Sequence, residues 1–326
     1  MEIQRRRLME PQTGVELDGG IELGYIETRI HINEQLFSVI LDTGSPLLIV
    51  PCNDCNDCGH HNSLTPIDGL GRPFSIRYVE GSKLEGHDVL SRIQIERMQF
   101  EAVVGCANVM TRLFRTQEAD GIMGLDEYSV LRDLMRSHPT LPHTFALHLQ
   151  PDFDRLLLGL DPNEDQPDAV CPLDKHNENF FTPVHTLDVH TQKASVSTPI
   201  QHLLKLRDQR LLVDSGTTYI YFEAPLFRSL KAVLQAHGFR SDTKNDIGCS
   251  QGLIPIPTLV LRGAPGCDIV LYPKHWTTIR PNGEYCAVIF DTGVGNENTL
   301  GLSGLDWRRS TFVFDGAHPR IQFSNV

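Results

Sequence analysis

Apolar residues in this chain recur in short runs, often at alternate positions, broken by glycine, proline and polar turns. Alternation of this kind predicts β-strands with one buried face. Gly24 to Leu41 reads as two strands around a turn at Asn33-Glu34, with Tyr25, Ile30, Ile32, Phe37, Val39 and Leu41 at the apolar positions. Further strands are predicted at Phe74–Tyr78, Asp88–Ile95, Phe100–Val104, Thr144–Leu149, Arg155–Leu158, Leu211–Val213, Thr258–Leu261, Ala287–Phe290, Thr311–Phe314 and Ile321–Phe323. Helices are few. One is predicted over Tyr128–Ser137, and another begins near Glu223, has Pro225 in its first turn and stops at Gly238. Many short strands with few helices make the chain mostly β.

Asp161 to Asn179 is polar and contains proline, and it reads as a connection between two halves of the 326-residue chain. The expected organisation is an N-terminal extension over 1–23, one lobe over 24–160, a linker over 161–179 and a second lobe over 180–326. No tandem repeat is visible, but one coarse duplication is: an apolar strand runs into Asp-Thr/Ser-Gly in each half. A formal charge of −12 argues against nucleic acid or an anionic membrane as partner. The apolar runs, such as Leu47 to Val50, are too short for a transmembrane helix.

The duplicated motif carries the chemistry. Its copies are Val39-Ile40-Leu41-Asp42-Thr43-Gly44-Ser45 and Leu211-Leu212-Val213-Asp214-Ser215-Gly216-Thr217-Thr218. Each strand delivers a carboxylate to a tight turn, and the glycine permits close backbone approach. The hydroxyls of Ser45 and Thr217 are placed to bond the outer carboxylate oxygens. Face to face, such turns would hold two carboxyls around one water, and like charges that close share a proton: one member acts as base, the other as acid. The pair titrates as a unit. A third copy, Asp291-Thr292-Gly293, is followed by Val294 rather than a hydroxyl and is read as a turn.

From about Gly24 onward the sequence resembles the pepsin-like aspartic endopeptidases, through ordered motifs. These are Asp42-Thr43-Gly44-Ser45, the flap-like Tyr78-Val79-Glu80-Gly81-Ser82, Ala119-Asp120-Gly121-Ile122-Met123-Gly124-Leu125, Leu156-Leu157-Leu158-Gly159-Leu160-Asp161, Asp214-Ser215-Gly216-Thr217-Thr218, and Thr311-Phe312-Val313-Phe314-Asp315 near the end. The resemblance implies a bilobal, mostly β pepsin-like fold with a central cleft. It implies Asp42 and Asp214 as the catalytic pair, supported by Ser45 and Thr217. Gly44, Ile49, Tyr78, Glu80, Gly81, Ile122, Gly216 and Thr218 are implied to contact an extended peptide or protein substrate, which binds much as an added strand. No metal or organic cofactor is implied, and the expected state is a monomer. Two departures keep a catalytically silent, binding-only relative as the alternative: Ile49 stands where the family usually carries a flap-supporting tryptophan, and Thr299-Leu300-Gly301-Leu302-Ser303-Gly304 departs from the expected C-lobe segment.

Read from the residues alone, Cys52, Cys55 and Cys58, followed by His60 and His61, fit either disulfides or a zinc site, and a zinc-binding interaction module is a third reading. The position of this triplet, and the flap sequence, resemble the nepenthesin / plasmepsin V-like branch of the family. That resemblance implies Cys52–Cys55 and Cys58–Cys106 disulfides, with Cys249–Cys286 in the second lobe and Cys171 and Cys267 left over. Disulfides would place the protein in the secretory pathway, an endomembrane compartment or outside the cell. No signal-peptide pattern is seen behind Met1 and the basic residues Arg5 to Arg7, and there is no Asn-x-Ser/Thr sequon. Protonating all fourteen histidines would bring the charge close to neutral, which favours weakly acidic to neutral operation.

Overall fold

A computed structural model describes residues 13–67, 69–78, 81–126, 129–150, 153–163, 166–176, 179–191, 200–205, 210–241, 243–251, 255–293, 297–314 and 318–325. The predicted first hairpin is Tyr25–Ile32 paired antiparallel with Gln35–Asp42. Its turn residues Asn33 and Glu34 have φ of 49° and 70°, the left-handed pair that matches the twist of a two-residue hairpin. Alternation then puts Ile30, Ile32, Phe37, Val39 and Leu41 into the core, all fully buried.

This hairpin lies in an eight-stranded sheet, whose spatial order from one edge is Asp18–Gly20, Tyr25–Ile32, Gln35–Asp42, Gly121–Gly124, Leu48–Pro51, Met98–Met110, Lys83–Ile95 and Pro73–Arg77. The strands predicted at Asp88–Ile95 and Phe100–Val104 are longer, because Gly86 and Gly105 interrupt the apolar pattern without ending the ladder. At Gly86 the missing Cβ admits the Cys106 carbonyl, and the register shifts by a bulge between Glu85 and Gly86.

The second half builds a nine-stranded sheet around Asn179–Thr191, a long strand that the sequence pattern did not reveal. Pro183 and a bulge between Val184 and Thr186 break its alternation. Asp188 on the same strand is fully buried and paired with Arg262. A third sheet of six strands draws on both halves: Thr13–Glu16, Arg155–Leu158, Thr144–Leu149, Arg308–Val313, Arg320–Asn325 and Ala169–Pro172. The fold is bilobal and mostly β, as expected.

The helices follow their sequence signals. Val130–Ser137 is capped by Ser129, whose hydroxyl accepts from the Leu131 N–H, and it buries Val130, Leu131, Leu134 and Met135. Ala224–Ala236 has Pro225 in its first turn, buries Leu226, Phe227, Leu230 and Leu234, and gives way to Gly238 at φ 89°. Among the described residues, no helix is long and apolar enough to cross a membrane.

Candidate active site

Each Asp-Thr/Ser-Gly motif sits where a buried strand ends against a parallel partner. Gln35–Asp42 runs beside Gly121–Gly124, aligning Asp42 with Gly124. Arg210–Val213 runs beside Asn298–Leu300, and the Asp214 N–H donates to the Leu300 carbonyl at 3.1 Å. The local bonds are duplicated. The Gly44 N–H donates to Asp42 Oδ1 at 2.7 Å and the Ser45 hydroxyl to Oδ2 at 2.6 Å. The Gly216 N–H donates to Asp214 Oδ1 at 2.9 Å and the Thr217 hydroxyl to Oδ2 at 2.6 Å.

The loops then lock crosswise. The Thr43 hydroxyl donates to the Val213 carbonyl at 2.9 Å, and the Ser215 hydroxyl donates to the Leu41 carbonyl at 2.8 Å. Each backbone N–H donates to the other's hydroxyl, Thr43 to Ser215 at 3.1 Å and Ser215 to Thr43 at 2.9 Å. The sequence marked Thr43 and Ser215 only as small hydroxyls within the motif; that they bridge the halves follows from tertiary structure alone. The glycines are sterically required here. A Cβ on Gly44 would lie 2.8 Å from Asp214 Oδ1, and one on Gly216 would lie 2.5 Å from the Asp42 carboxylate.

The two carboxyls face each other across Gly44, where a Cβ would lie 2.8 Å from Asp214 Oδ1 and 3.1 Å from Asp42 Oδ1, and like charges that close favour a shared proton. Burial, and after it the Asp214 charge and hydrogen bond, hold the Asp42 carboxyl well above the ordinary carboxylate range. The Ser45 and Gly44 bonds oppose this shift.

Tyr78 stands at the end of the hairpin formed by Pro73–Arg77 and Lys83–Ile95. Its N–H donates to the Ser82 carbonyl and its carbonyl accepts from Gly81, whose φ is 91°. Its phenol lies 3.5 Å from the Ser45 hydroxyl, and its ring centroid 4.9 Å from that of Phe114. Glu80, assigned to substrate on the sequence, lies outside the described residues. Ile49 and Ile122 face each other across antiparallel strands and are buried with Ile40 and Phe114, with Tyr78 packed against the group. The Thr218 hydroxyl donates to the Gly24 carbonyl at 2.7 Å and so ties the start of the first hairpin to the second aspartate loop.

The segment Thr299 to Gly304, irregular in sequence, is regular in place. The Thr217 carbonyl accepts from Leu302 at 2.7 Å and the Thr218 carbonyl from Ser303 at 2.9 Å. Asp291 repeats the local bond, accepting from the Gly293 N–H at 2.8 Å. It is aligned with Phe222 on a neighbouring strand rather than with either aspartate loop.

Two implied disulfides are corrected. The pairs are Cys52–Cys106 and Cys55–Cys58, not Cys52–Cys55 and Cys58–Cys106. Register decides this: Leu48–Pro51 runs parallel to Met98–Met110 with Val50 beside Cys106, and the Cys52 N–H donates to Ala107, leaving the Cys52 and Cys106 Cα atoms 4.8 Å apart. Cys249–Cys286 is as implied, and Cys171 pairs with Cys267. The thiolates that a zinc loop requires are thereby consumed.

Residues 25–143, which hold Asp42, Tyr78 and the cysteine-rich loop, match the family model of the eukaryotic aspartyl proteases. Over this segment, somewhat more than a third of its length, the chain is similar to that family. Among curated relatives, the chain is 28% identical over 186 aligned residues to Aspartic protease 5 of Toxoplasma gondii, a match covering 41% of this chain and 19% of the relative. It is 25% identical over 170 residues to Plasmepsin V of Plasmodium falciparum isolate 3D7, covering 41% of this chain and 29% of the relative. The match therefore spans less than a third of these relatives' length.

Proposed function

We propose that this chain is a member of the aspartyl protease family and an active aspartic endopeptidase that hydrolyses extended polypeptides in the cleft between its lobes. The lobes are taken as 24–160 and 180–326, joined through 161–179 and preceded by the extension 1–23. The observation that carries this reading is the facing pair of carboxyls, Asp42 buried and Asp214 half-buried, fixed by the crosswise bonds of Thr43 and Ser215.

A water held between the two carboxyls is deprotonated by the ionised member and attacks the scissile carbonyl, while the protonated member gives its proton to the carbonyl oxygen. The tetrahedral diol then collapses, a proton passes to the leaving amine, and the pair is left again with one proton. Ser45 and Thr217 keep the outer oxygens occupied and aim the inner ones at the water. Gly44 and Gly216 leave room for the substrate main chain, and Tyr78 with Gly81 covers it; Ile49 and Ile122 form an apolar floor. Thr218 acts as a brace on the Gly24 segment. Both carboxyls come from one chain, so a monomer suffices. Four disulfides favour an oxidising compartment such as the secretory pathway.

Incubation with a proteome-derived peptide mixture across about pH 3 to 7 tests the reading. Internal cleavage that is lost in Asp42→Ala, and blocked by a pepstatin-like inhibitor, is expected. No turnover by the unsubstituted protein at any pH would overturn it and favour a silent relative.

A further inference from the structure

Ile49, beneath Tyr78, has no polar atom to offer the phenol, so the support of the flap must come from elsewhere. We propose that Arg112 and Phe114 are positioning residues that set the Tyr78 flap, and that the cysteine-rich loop holds them from behind; this rests on the aspartic protease reading and deepens it.

Three contacts join the segment Thr111–Phe114 to the flap. At its root, the Lys83 N–H donates to the Thr111 hydroxyl at 2.8 Å and the Thr111 N–H returns to the Lys83 carbonyl at 3.1 Å. At its tip, the Arg112 guanidinium lies directly on the Gly81 backbone, where any Cβ would overlap it. On its inner face, the buried Phe114 ring packs against Tyr78 with centroids 4.9 Å apart. Arg112 itself has φ 52° and ψ −120°, a conformation that side-chain-bearing residues rarely adopt and that persists only where surroundings impose it.

Those surroundings are the loop from Cys52 to Leu64. His61 Nε2 donates to the Phe114 carbonyl at 2.9 Å, and Asp57, between the bonded Cys55 and Cys58, pairs with Arg115. Gly59, at φ 89°, lets the Arg115 carbonyl approach where a Cβ would stand. The triplet of cysteines is thus connected through Leu113–Thr116 to Tyr78, and through Ser45 to Asp42. A substrate that must displace or order the flap meets this support, so its loss weakens binding more than chemistry.

Hydrogen exchange of the flap peptide spanning 73–87, together with steady-state kinetics, tests the proposal on Arg112→Ala, Arg112→Lys and His61→Ala. Arg112→Ala is expected to speed exchange at the Tyr78 and Gly81 amides roughly tenfold, with a rise in KM and kcat within about threefold of the unsubstituted protein. Arg112→Lys is expected to restore part of both effects. His61→Ala, which does not touch the flap, is expected to move the same amides, while the helix Ala224–Ala236 keeps its protection. Unchanged flap exchange in Arg112→Ala and His61→Ala overturns the proposal. So does a fall in kcat at constant KM, or a loss of protection throughout the chain in both variants, which marks a general structural role. If the unsubstituted protein turns over no peptide, the exchange comparison still decides the support, and the failure falls on the protease reading alone.

Discussion

The Ser215 N–H donates to the Thr43 hydroxyl at 2.9 Å, joining two residues 172 positions apart whose neighbours are Asp214 and Asp42. With the reciprocal bond, this places the two carboxyls by fixed backbone rather than by mobile side chains.

Thr43→Val and Ser215→Ala each leave buried backbone groups unpaired. Each is expected to destabilise by about 1–3 kcal/mol and to lower kcat through displaced carboxyls. Both belong to one network, so the double variant should cost less than the sum, as read from urea melts in a double-mutant cycle.

Asp42→Asn should cut turnover by roughly 10²–10⁴-fold or more, since the acid–base pair is broken. Stability should move the other way at neutral pH. A raised native pKa contributes stability that is fully present below the unfolded carboxylate range and is lost as pH rises through the native value. The unsubstituted protein should therefore lose thermal stability relative to Asp42→Asn as pH rises toward 7, measured by calorimetry in matched buffers.

His275 supplies an opposite slope. Its buried ring accepts from the Tyr272 N–H and stands 2.6 Å from Arg308 Nη2. Burial first, then the charges of Arg308 and Lys274, push its pKa down to about 2. The unfolded chain takes up this proton near pH 6.5 while the native state does not. Stability should thus fall with pH between about 6.5 and 2, by about 1.4 kcal/mol per pH unit from this group. His275→Gln should flatten that slope in denaturant melts at mildly acid pH.

The disulfide pairing is checked by peptide mapping without reductant, which should recover Cys52 joined to Cys106. The two pairs should also differ in weight: removing Cys52–Cys106, with a sequence separation of 54, should destabilise more than removing Cys55–Cys58, with a separation of 3.

Local sequence determined the elements whose cause is local. The Asn33-Glu34 turn, the helix predicted over Tyr128–Ser137, the helix beginning near Glu223 and the paired Asp turns were legible from alternation, start and stop residues and motif spacing, because each rests on bonds within a few residues. The long strand Asn179–Thr191 was hidden, since its proline, bulge and buried Asp188 make sense only beside Arg262. Two disulfides implied by the resemblance are corrected for a related reason: Cys52–Cys55 and Cys55–Cys58 are equally spaced in sequence, and only the parallel register of Leu48–Pro51 on Met98–Met110 puts Cys52 beside Cys106. The sequence alone thus determined which two carboxyls sit in matching Asp-Thr/Ser-Gly turns and that strands deliver them. Tertiary structure decided that Thr43 and Ser215 clasp the lobes and that Arg112 lies on Gly81, because hydrogen bonds and contacts between residues distant in the chain exist only once both sheets have formed.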